Sequence, residues 1–154
     1  MAFCVGRVGI GMVSIVDDSV IKEFLNGTRD VIFIGLENYI NSPQFKLIKH
    51  KILNIDNSGS IKTVMVFRYE KDLKKYIRLK ETNGFHYAVG IVLGYHHLAV
   101  SWWSDCQLNV IEDDRHESPL ISYRSFFYKV PQKYAVEILR DLVLSGEDSV
   151  QLTY

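Results

Sequence analysis

Runs of alternating apolar and polar residues with very short connections constrain the fold of this chain more than any other feature. From Ser60 to Tyr69 every second residue is apolar or β-branched, which is the period of a β-strand. Similar alternation covers Phe85 to Leu93, His96 to Trp103 and Gln107 to Ile111. Because a parallel connection needs a dozen or more residues, strands joined this closely must be antiparallel. The sequence therefore predicts an antiparallel β-meander.

Four other segments have strand-like composition. Val31–Ile34 is a short apolar run of the kind found in buried strands, Ile121–Lys129 is a longer run, and Ser149–Thr153 is the last. Between Val5 and Ile15 glycines alternate with apolar residues, which suits one or two interrupted strands. These segments extend the predicted sheet towards both ends of the chain.

Two segments have the period of a helix. Asp18–Asn26 follows residues with N-cap chemistry, and Pro131–Ser145 begins with a proline at the first helical position, where its missing N–H is no loss. Asn41–Asp56 fits neither period, and Glu70–Thr82 suits a short helix or a charged edge equally. We therefore predict an α+β fold, mainly an antiparallel sheet, with an N-terminal and a C-terminal helix packed on one face.

Length and charge limit the class of protein. A chain of 154 residues has the size of one domain, so we expect a single domain over 1–154. Eighteen basic residues balance eighteen acidic ones, so no net field attracts nucleic acid or a membrane, and a charged partner must meet a local patch. The sequence has no apolar run of about 18–20 residues and no signal-like start, which predicts a cytoplasmic protein.

A small number of residues could carry chemistry. His86, His96 and Cys106 could form a metal site or a thiol nucleophile with its base, and this is the alternative hypothesis of a small enzyme or metal-binding domain. The set lacks further ligands, and no glycine turn exposes Cys106 as nucleophiles are exposed. We therefore expect no enzyme activity and no cofactor.

Other residues suit protein binding. Trp102 and Trp103 would face opposite sides of a strand, so one indole would point outward, and we take Trp103 as the aromatic contact. Electrostatic complementarity to a basic partner is expected from one acidic loop: Glu112, Asp113, Asp114 and Glu117. Glu147 and Asp148 form a second acidic cluster. The segments rich in lysine lack the aromatic pattern of RNA-binding sheets, so we do not expect them to bind RNA. Their basic residues are Lys46, Lys49, Lys51, Lys71, Lys74, Lys75, Arg78 and Lys80.

The C-terminal region has a recognisable order of elements. In Tyr128–Leu152 a strand enters a helix start at Val130-Pro131, an amphipathic helix follows, and Gly146 leads into a last short strand. With this pattern, residues 85–154 resemble immunity proteins of contact-dependent growth inhibition and other polymorphic toxin systems. Leu152-Thr153-Tyr154 stands where that family often has a tryptophan. The resemblance implies a monomeric or homodimeric inhibitor that binds a cognate toxin domain, often a nuclease, and blocks its active site.

Overall fold

The computed structural model describes residues 10–55 and 62–154, with side chains from Asp17 onward. These residues form two compact units, which meet in the sequence between Arg78 and Leu79. The described chain is α+β, with 52% of residues in helices and 20% in strands, so the predicted class is confirmed. The single-domain prediction stays a prediction, because a division into compact units does not test how the units fold.

The first unit, up to Arg78, contains a three-stranded antiparallel sheet in the order β1-β3-β2. Its elements are α1 (Ile10–Leu25), β1 (Val31–Gly35), α2 (Leu36–Ile40), a 3-10 helix (Pro43–Leu47), β2 (Lys51–Ile55), β3 (Thr63–Phe67) and the start of α3 (Glu70–Asn83).

Both faces of the central strand β3 are buried. Val64 and Val66 face a cluster that includes Ile32 and Ile34 of β1, Phe45 of the 3-10 helix, and Val20, Ile21 and Phe24 of α1. Phe67 belongs to the opposite face of β3. Its ring contacts that of Tyr76 on α3, with the ring centroids 6.1 Å apart. Full burial of alternate residues on both faces explains why this strand is apolar at almost every position.

The second unit, from Leu79, contains another antiparallel sheet, in the order β5-β4-β6. Its elements after α3 are α4 (Phe85–Val92), α5 (His97–Gln107), a 3-10 turn (Arg115–Glu117), β4 (Leu120–Tyr123), β5 (Phe126–Lys129), a 3-10 turn (Gln132–Tyr134), α6 (Ala135–Leu144) and β6 (Gln151–Thr153).

Four aromatic rings form the core beside this second sheet. Tyr95 packs edge-on against Phe126 and Tyr128, and Tyr123 stacks on Phe126 with centroids 4.8 Å apart. The Tyr123 and Tyr128 hydroxyls lie 3.0 Å apart. Gly94 has φ +91°, and a Cβ there would lie 3.5 Å from the Phe126 ring. The sharp turn at Gly94 therefore suits glycine for backbone reasons, and it brings α4 and α5 together beside the aromatic core.

The predicted meander is wrong at its centre. Phe85–Leu93 and His96–Trp103 form the helices α4 and α5, and Gln107–Ile111 contains no strand. Almost every residue from Phe85 to Trp103 is apolar or small. Odd-numbered and even-numbered positions therefore differ little in polarity, and the pattern does not distinguish a strand from a helix there. A helix that is apolar nearly all round is typical of a buried position, which α4 and α5 occupy in part.

Other predicted elements have mixed outcomes. β1, β3 and β6 confirm the strands predicted there, and Glu70–Thr82 is helical. α6 confirms the C-terminal helix, but the predicted start is wrong: Pro131 precedes a 3-10 turn, and the α-helix begins at Ala135. Ile121–Lys129 is a hairpin that turns at Arg124, whose φ is +48°. Ile10–Ile15, predicted as strand, belongs to α1, while residues 1–9 lie outside the described part.

The two predicted helices do not share one sheet. The structure has two sheets: α1 contacts β1 of the first and α6 contacts β6 of the second. The strand pattern did not reveal this division, because sequence periodicity specifies the faces of elements but not which elements pair.

Candidate functional site

The predicted acidic loop follows α5 and leads to β4 in the second unit. Leu108 ends the helix, and the next turn closes through hydrogen bonds from Asn109 N to Cys106 O and from Val110 N to Asp105 O. Asn109 has φ +57°, a conformation that asparagine tolerates better than most residues. These bonds fix the direction in which the chain leaves the helix, and all four predicted acids lie in the segment that follows.

Trp103 is half-buried on α5 and is not the outward-facing strand residue that the alternation predicted. The Arg115 guanidinium lies over its ring, 4.0 Å from the centroid. Trp102, the neighbouring residue, is 8% exposed. Successive helical residues are about 100° apart, so both indoles can pack partly against the protein and neither has to point fully outward. The role of Trp103 as a contact with a partner stays a prediction.

Arg115 connects the acidic loop to α5. Its guanidinium donates to both carboxylate oxygens of Asp113, and its Nη1 donates to Gln107 Oε1 at 2.9 Å. The hydrogen bonds from Arg115 lower the pKa of Asp113 to about 2. Asp113 is therefore an internal partner of Arg115. Glu112, Asp114 and Glu117 are all exposed, and Glu117 Oε1 lies 3.5 Å from Nε2 of the exposed His116.

An open groove of about 540 Å³ lies beside this loop within the second unit. Glu112 and Asp114 from the loop and Lys133 from the chain before α6 supply its charges. The groove is lined by Trp102, Ile111, Glu112, Asp114, Pro131, Gln132 and Lys133. It therefore combines an apolar floor with a mainly acidic rim, and it contains two of the four predicted acids but not Trp103.

Three aliphatic side chains are exposed in the same segment. Leu108, Val110 and Ile111 stand immediately before the acids, and Val110 is 67% exposed. Their alternation predicted a strand, so their exposure on the surface was not predicted from the sequence. The signal that would have found them is the run of polar and asparagine residues around them, which is typical of a loop.

The second acidic cluster is partly occupied within the unit. Glu147 accepts two hydrogen bonds from Arg124, at 2.7 and 2.9 Å, in a bidentate ion pair that joins the β4–β5 turn to the end of α6. Asp148 is exposed. Glu147 is therefore a fold contact, and we keep only the first acidic loop as the candidate site.

The histidines and Cys106 of the alternative hypothesis have separate environments. His96 accepts a hydrogen bond from Leu98 N on Nδ1 and thereby caps α5, and its Nε2 lies 2.9 Å from Asp141 Oδ2. Cys106 is buried, and desolvation raises the pKa of its thiol. Within residues 10–55 and 62–154, no three His, Cys, Asp or Glu side chains come together as a metal site would require. The predicted set with His86 is thus not assembled in the described chain.

Two further features were not predicted. Asp17 is a buried carboxylate on α1, and its Oδ2 accepts hydrogen bonds from Gly35 N at 2.9 Å and Asn38 Nδ2 at 2.5 Å. His50 donates from Nδ1 to the Ile48 carbonyl at 2.6 Å, and its Nε2 lies 2.8 Å from the Tyr39 hydroxyl. Neither residue stands in a recognisable motif, because both sets of partners come from segments to which no element was assigned.

Comparisons of the chain with protein-family models, with curated proteins and with solved structures gave no match. Among the described helices, none combines the length and the apolar character needed to cross a bilayer.

Proposed function

We propose that this protein is an immunity protein, which binds a cognate toxin domain and blocks its active site. The observation that carries the proposal is the segment from Leu108 to Glu117. It exposes three aliphatic side chains directly beside three exposed acids, which are Glu112, Asp114 and Glu117. We call this segment, with the groove beside it, the acidic surface.

The composition of the acidic surface suits a basic protein partner. Aliphatic groups at the centre of an interface gain free energy when water is excluded, and acids at its edge guide association with a basic partner. An active site that binds nucleic acid is basic because it must neutralise phosphates. A nuclease domain is therefore the class of toxin that this chemistry fits best.

The internal contacts of Arg115 also favour a binding role. Arg115 holds Asp113, Gln107 and the Trp103 ring at the same time. A loop held in one conformation before binding loses less entropy when the partner arrives, which raises affinity without any new contact. The resemblance of Tyr128–Leu152 to immunity proteins supports the same function.

The test is a calorimetric titration of the full chain against the C-terminal domain of the protein encoded immediately upstream. We expect one-to-one binding with a Kd on the order of nanomolar or tighter, as standard-size interfaces of high affinity give. The same mixture should suppress the toxicity of that domain in cells. Absence of binding would refute the proposal.

A matched pair of variants locates the interface. Val110→Lys places a positive charge on the acidic surface and should weaken binding at least about 10-fold, because it replaces apolar burial by a repelled charge. Val143→Lys makes the same change at a valine of similar exposure, 55%, near the end of α6, and should leave affinity unchanged. Equal effects of the two variants would place the interface elsewhere.

The charges are tested separately. The double variant Glu112→Gln with Asp114→Asn keeps the size of both side chains and leaves the Asp113–Arg115 pair intact. We expect slower association and a smaller dependence of the rate on salt, as the loss of rim charges produces. An unchanged salt dependence would remove electrostatic attraction from the proposal while leaving the apolar contact.

A further inference from the structure

Charge is distributed unevenly along this neutral chain. Residues 38–80 contain ten lysines and arginines against three acids, and no acidic residue occurs between Glu37 and Asp56. A total charge of zero argues against attraction of a membrane or nucleic acid by the whole molecule, but not against attraction by a local patch. The first unit contains such a patch.

The patch is carried by residues 39–52 of the first unit, which we call the basic projection. Tyr39, Phe45 and His50 are in mutual ring contact, with centroids 5.0 to 5.8 Å apart. The hydrogen bonds of His50 to Ile48 and Tyr39 join the two ends of the projection. The aromatic centre therefore fixes α2, the 3-10 helix and the start of β2 relative to one another.

Around that centre the projection exposes aliphatic and positively charged side chains. Leu47, at the end of the 3-10 helix, is 87% exposed, and Ile40 at the end of α2 is 67% exposed. Ile52 on β2 is also exposed. Three lysines in the same projection are exposed: Lys46, Lys49 and Lys51. Leu47 thus stands directly beside Lys46 on a fixed support.

We propose that the basic projection binds the surface of an anionic phospholipid bilayer. Leu47 and Ile40 would enter the boundary between headgroups and acyl chains, and the three lysines would contact the phosphate groups. Lysine stems can lie along apolar surface while the ammonium groups stay at the level of the headgroups. The chain would then lie on the membrane and not span it.

The composition of the projection distinguishes lipid from other anionic partners. Protein interfaces are enriched in Trp, Tyr and Arg and are depleted in Lys, whereas the exposed charged and aliphatic side chains of the basic projection are Lys, Leu and Ile. Single-stranded nucleic acid is held by stacking on aromatic rings, but Phe45 of the projection is buried and Tyr39 is partly buried against it. Binding to a lipid surface requires neither stacking on aromatic rings nor bidentate hydrogen bonds from arginine.

The expected binding is weak and reversible. Each lysine near an anionic membrane contributes a factor of roughly 5 in partition coefficient, so three contribute on the order of 100-fold. Insertion of Leu47 adds roughly 10-fold or more. The proposal concerns a different unit and different residues from the toxin-binding proposal, so either can fail while the other stands.

The test is co-sedimentation of the full chain with vesicles of phosphatidylglycerol mixed with phosphatidylcholine, compared with pure phosphatidylcholine. We expect binding only to the anionic vesicles, with strong weakening between about 0.1 and 0.5 M salt. Leu47→Gln should lower the partition coefficient roughly 10-fold. Leu144→Gln, at a leucine of the second unit that is 77% exposed, should leave it unchanged.

A second matched pair of variants tests whether vesicle binding depends on the position of the lysines or only on the total charge of the protein. The triple variant Lys46→Gln, Lys49→Gln and Lys51→Gln should lower binding on the order of 100-fold. The control triple variant Lys71→Gln, Lys74→Gln and Lys75→Gln removes the same charge from exposed positions of α3 and should have a much smaller effect. Equal losses would show non-specific attraction and would overturn the proposal.

Two further outcomes would also overturn it. Light scattering that shows a dimer lost in Leu47→Gln would identify a second copy of the chain as the occupant. Binding to a single-stranded RNA that is lost in the first triple variant but unaffected by Leu47→Gln would identify nucleic acid. A monomer that binds anionic vesicles through both Leu47 and the three lysines supports the proposal.

Discussion

The buried carboxylate of Asp17 allows a sharp test of how the first unit is held together. Its Oδ2 accepts hydrogen bonds from Gly35 N, at the start of α2, and from the Asn38 side chain. Asp17→Ala removes the acceptor from both donors. An unsatisfied buried donor costs about 1–3 kcal/mol, so we expect a loss of at least that size in the free energy of unfolding.

Asp17→Asn distinguishes the hydrogen bonds from the charge. Both donors bind the same oxygen of Asp17, so one amide oxygen can accept both bonds, and the variant should be far more stable than Asp17→Ala. Burial raises the pKa of Asp17, with the bonds from Gly35 and Asn38 opposing that shift. The native state therefore binds a proton more tightly than the unfolded state does.

The sign of the pH dependence follows from that difference. Because the native state binds more protons, the contribution of Asp17 to stability falls as pH rises from the unfolded pKa of about 4 through the raised native pKa. Asp17→Asn has no such contribution. Its stability relative to the wild type should therefore improve between about pH 4 and pH 7.

The assay is urea unfolding followed by circular dichroism at both pH values. Asp148→Asn, which removes a charge from an exposed position of the second unit, is the control for net charge and should show no such change with pH. If Asp17→Asn were as destabilising as Asp17→Ala, the hydrogen-bond argument would be refuted. If the stability difference between Asp17→Asn and the wild type were the same at both pH values, the desolvation argument would be refuted.

Two further predictions concern the second unit. Arg115→Gln should raise the pKa of Asp113 from about 2 towards its ordinary value, as measured by carboxyl NMR titration, and an unchanged pKa would contradict the role of Arg115. In the wild type this depressed pKa stabilises the fold above about pH 4, and the contribution is lost as pH falls through the native value. Tyr128→Phe should cost about 1–2 kcal/mol of unfolding free energy, because it removes the buried contact with the Tyr123 hydroxyl. Tyr154→Phe, at an exposed position, should cost nothing measurable in the same urea titration.

The sequence was informative where one face of an element is buried and the other is wet. In α6, Ile138 and Leu142 are buried while Glu137 and Arg140 are exposed, so the helical period is plain. In α4 both faces are largely apolar, and strand and helix periods fit it equally well. What distinguishes a helix there is the end of the segment: Gly94 with positive φ, followed by His96 as the cap of the next helix.

The candidate site was predictable in part for a similar reason. The four acids stand close together in a polar segment, which lies at the surface whichever secondary structure precedes it. Their identification therefore did not depend on the strand prediction. The contact of Arg115 with Trp103 depends on a turn that brings residue 115 back over α5, and no local pattern encodes it. The pairing of Asp113 with Arg115 could therefore be recognised only from the structure.

The two proposals also explain why a zero net charge was a weak guide to partners. At physiological salt the Debye length is about 8 Å, so a partner responds to the charges near its contact and not to the total. At about 0.01 M salt the length is roughly 30 Å, about the diameter of a small domain, and distant charges then contribute. At physiological salt a zero total charge therefore excludes neither a basic partner for the acids Glu112 and Asp114 nor an anionic partner for the lysines Lys46, Lys49 and Lys51.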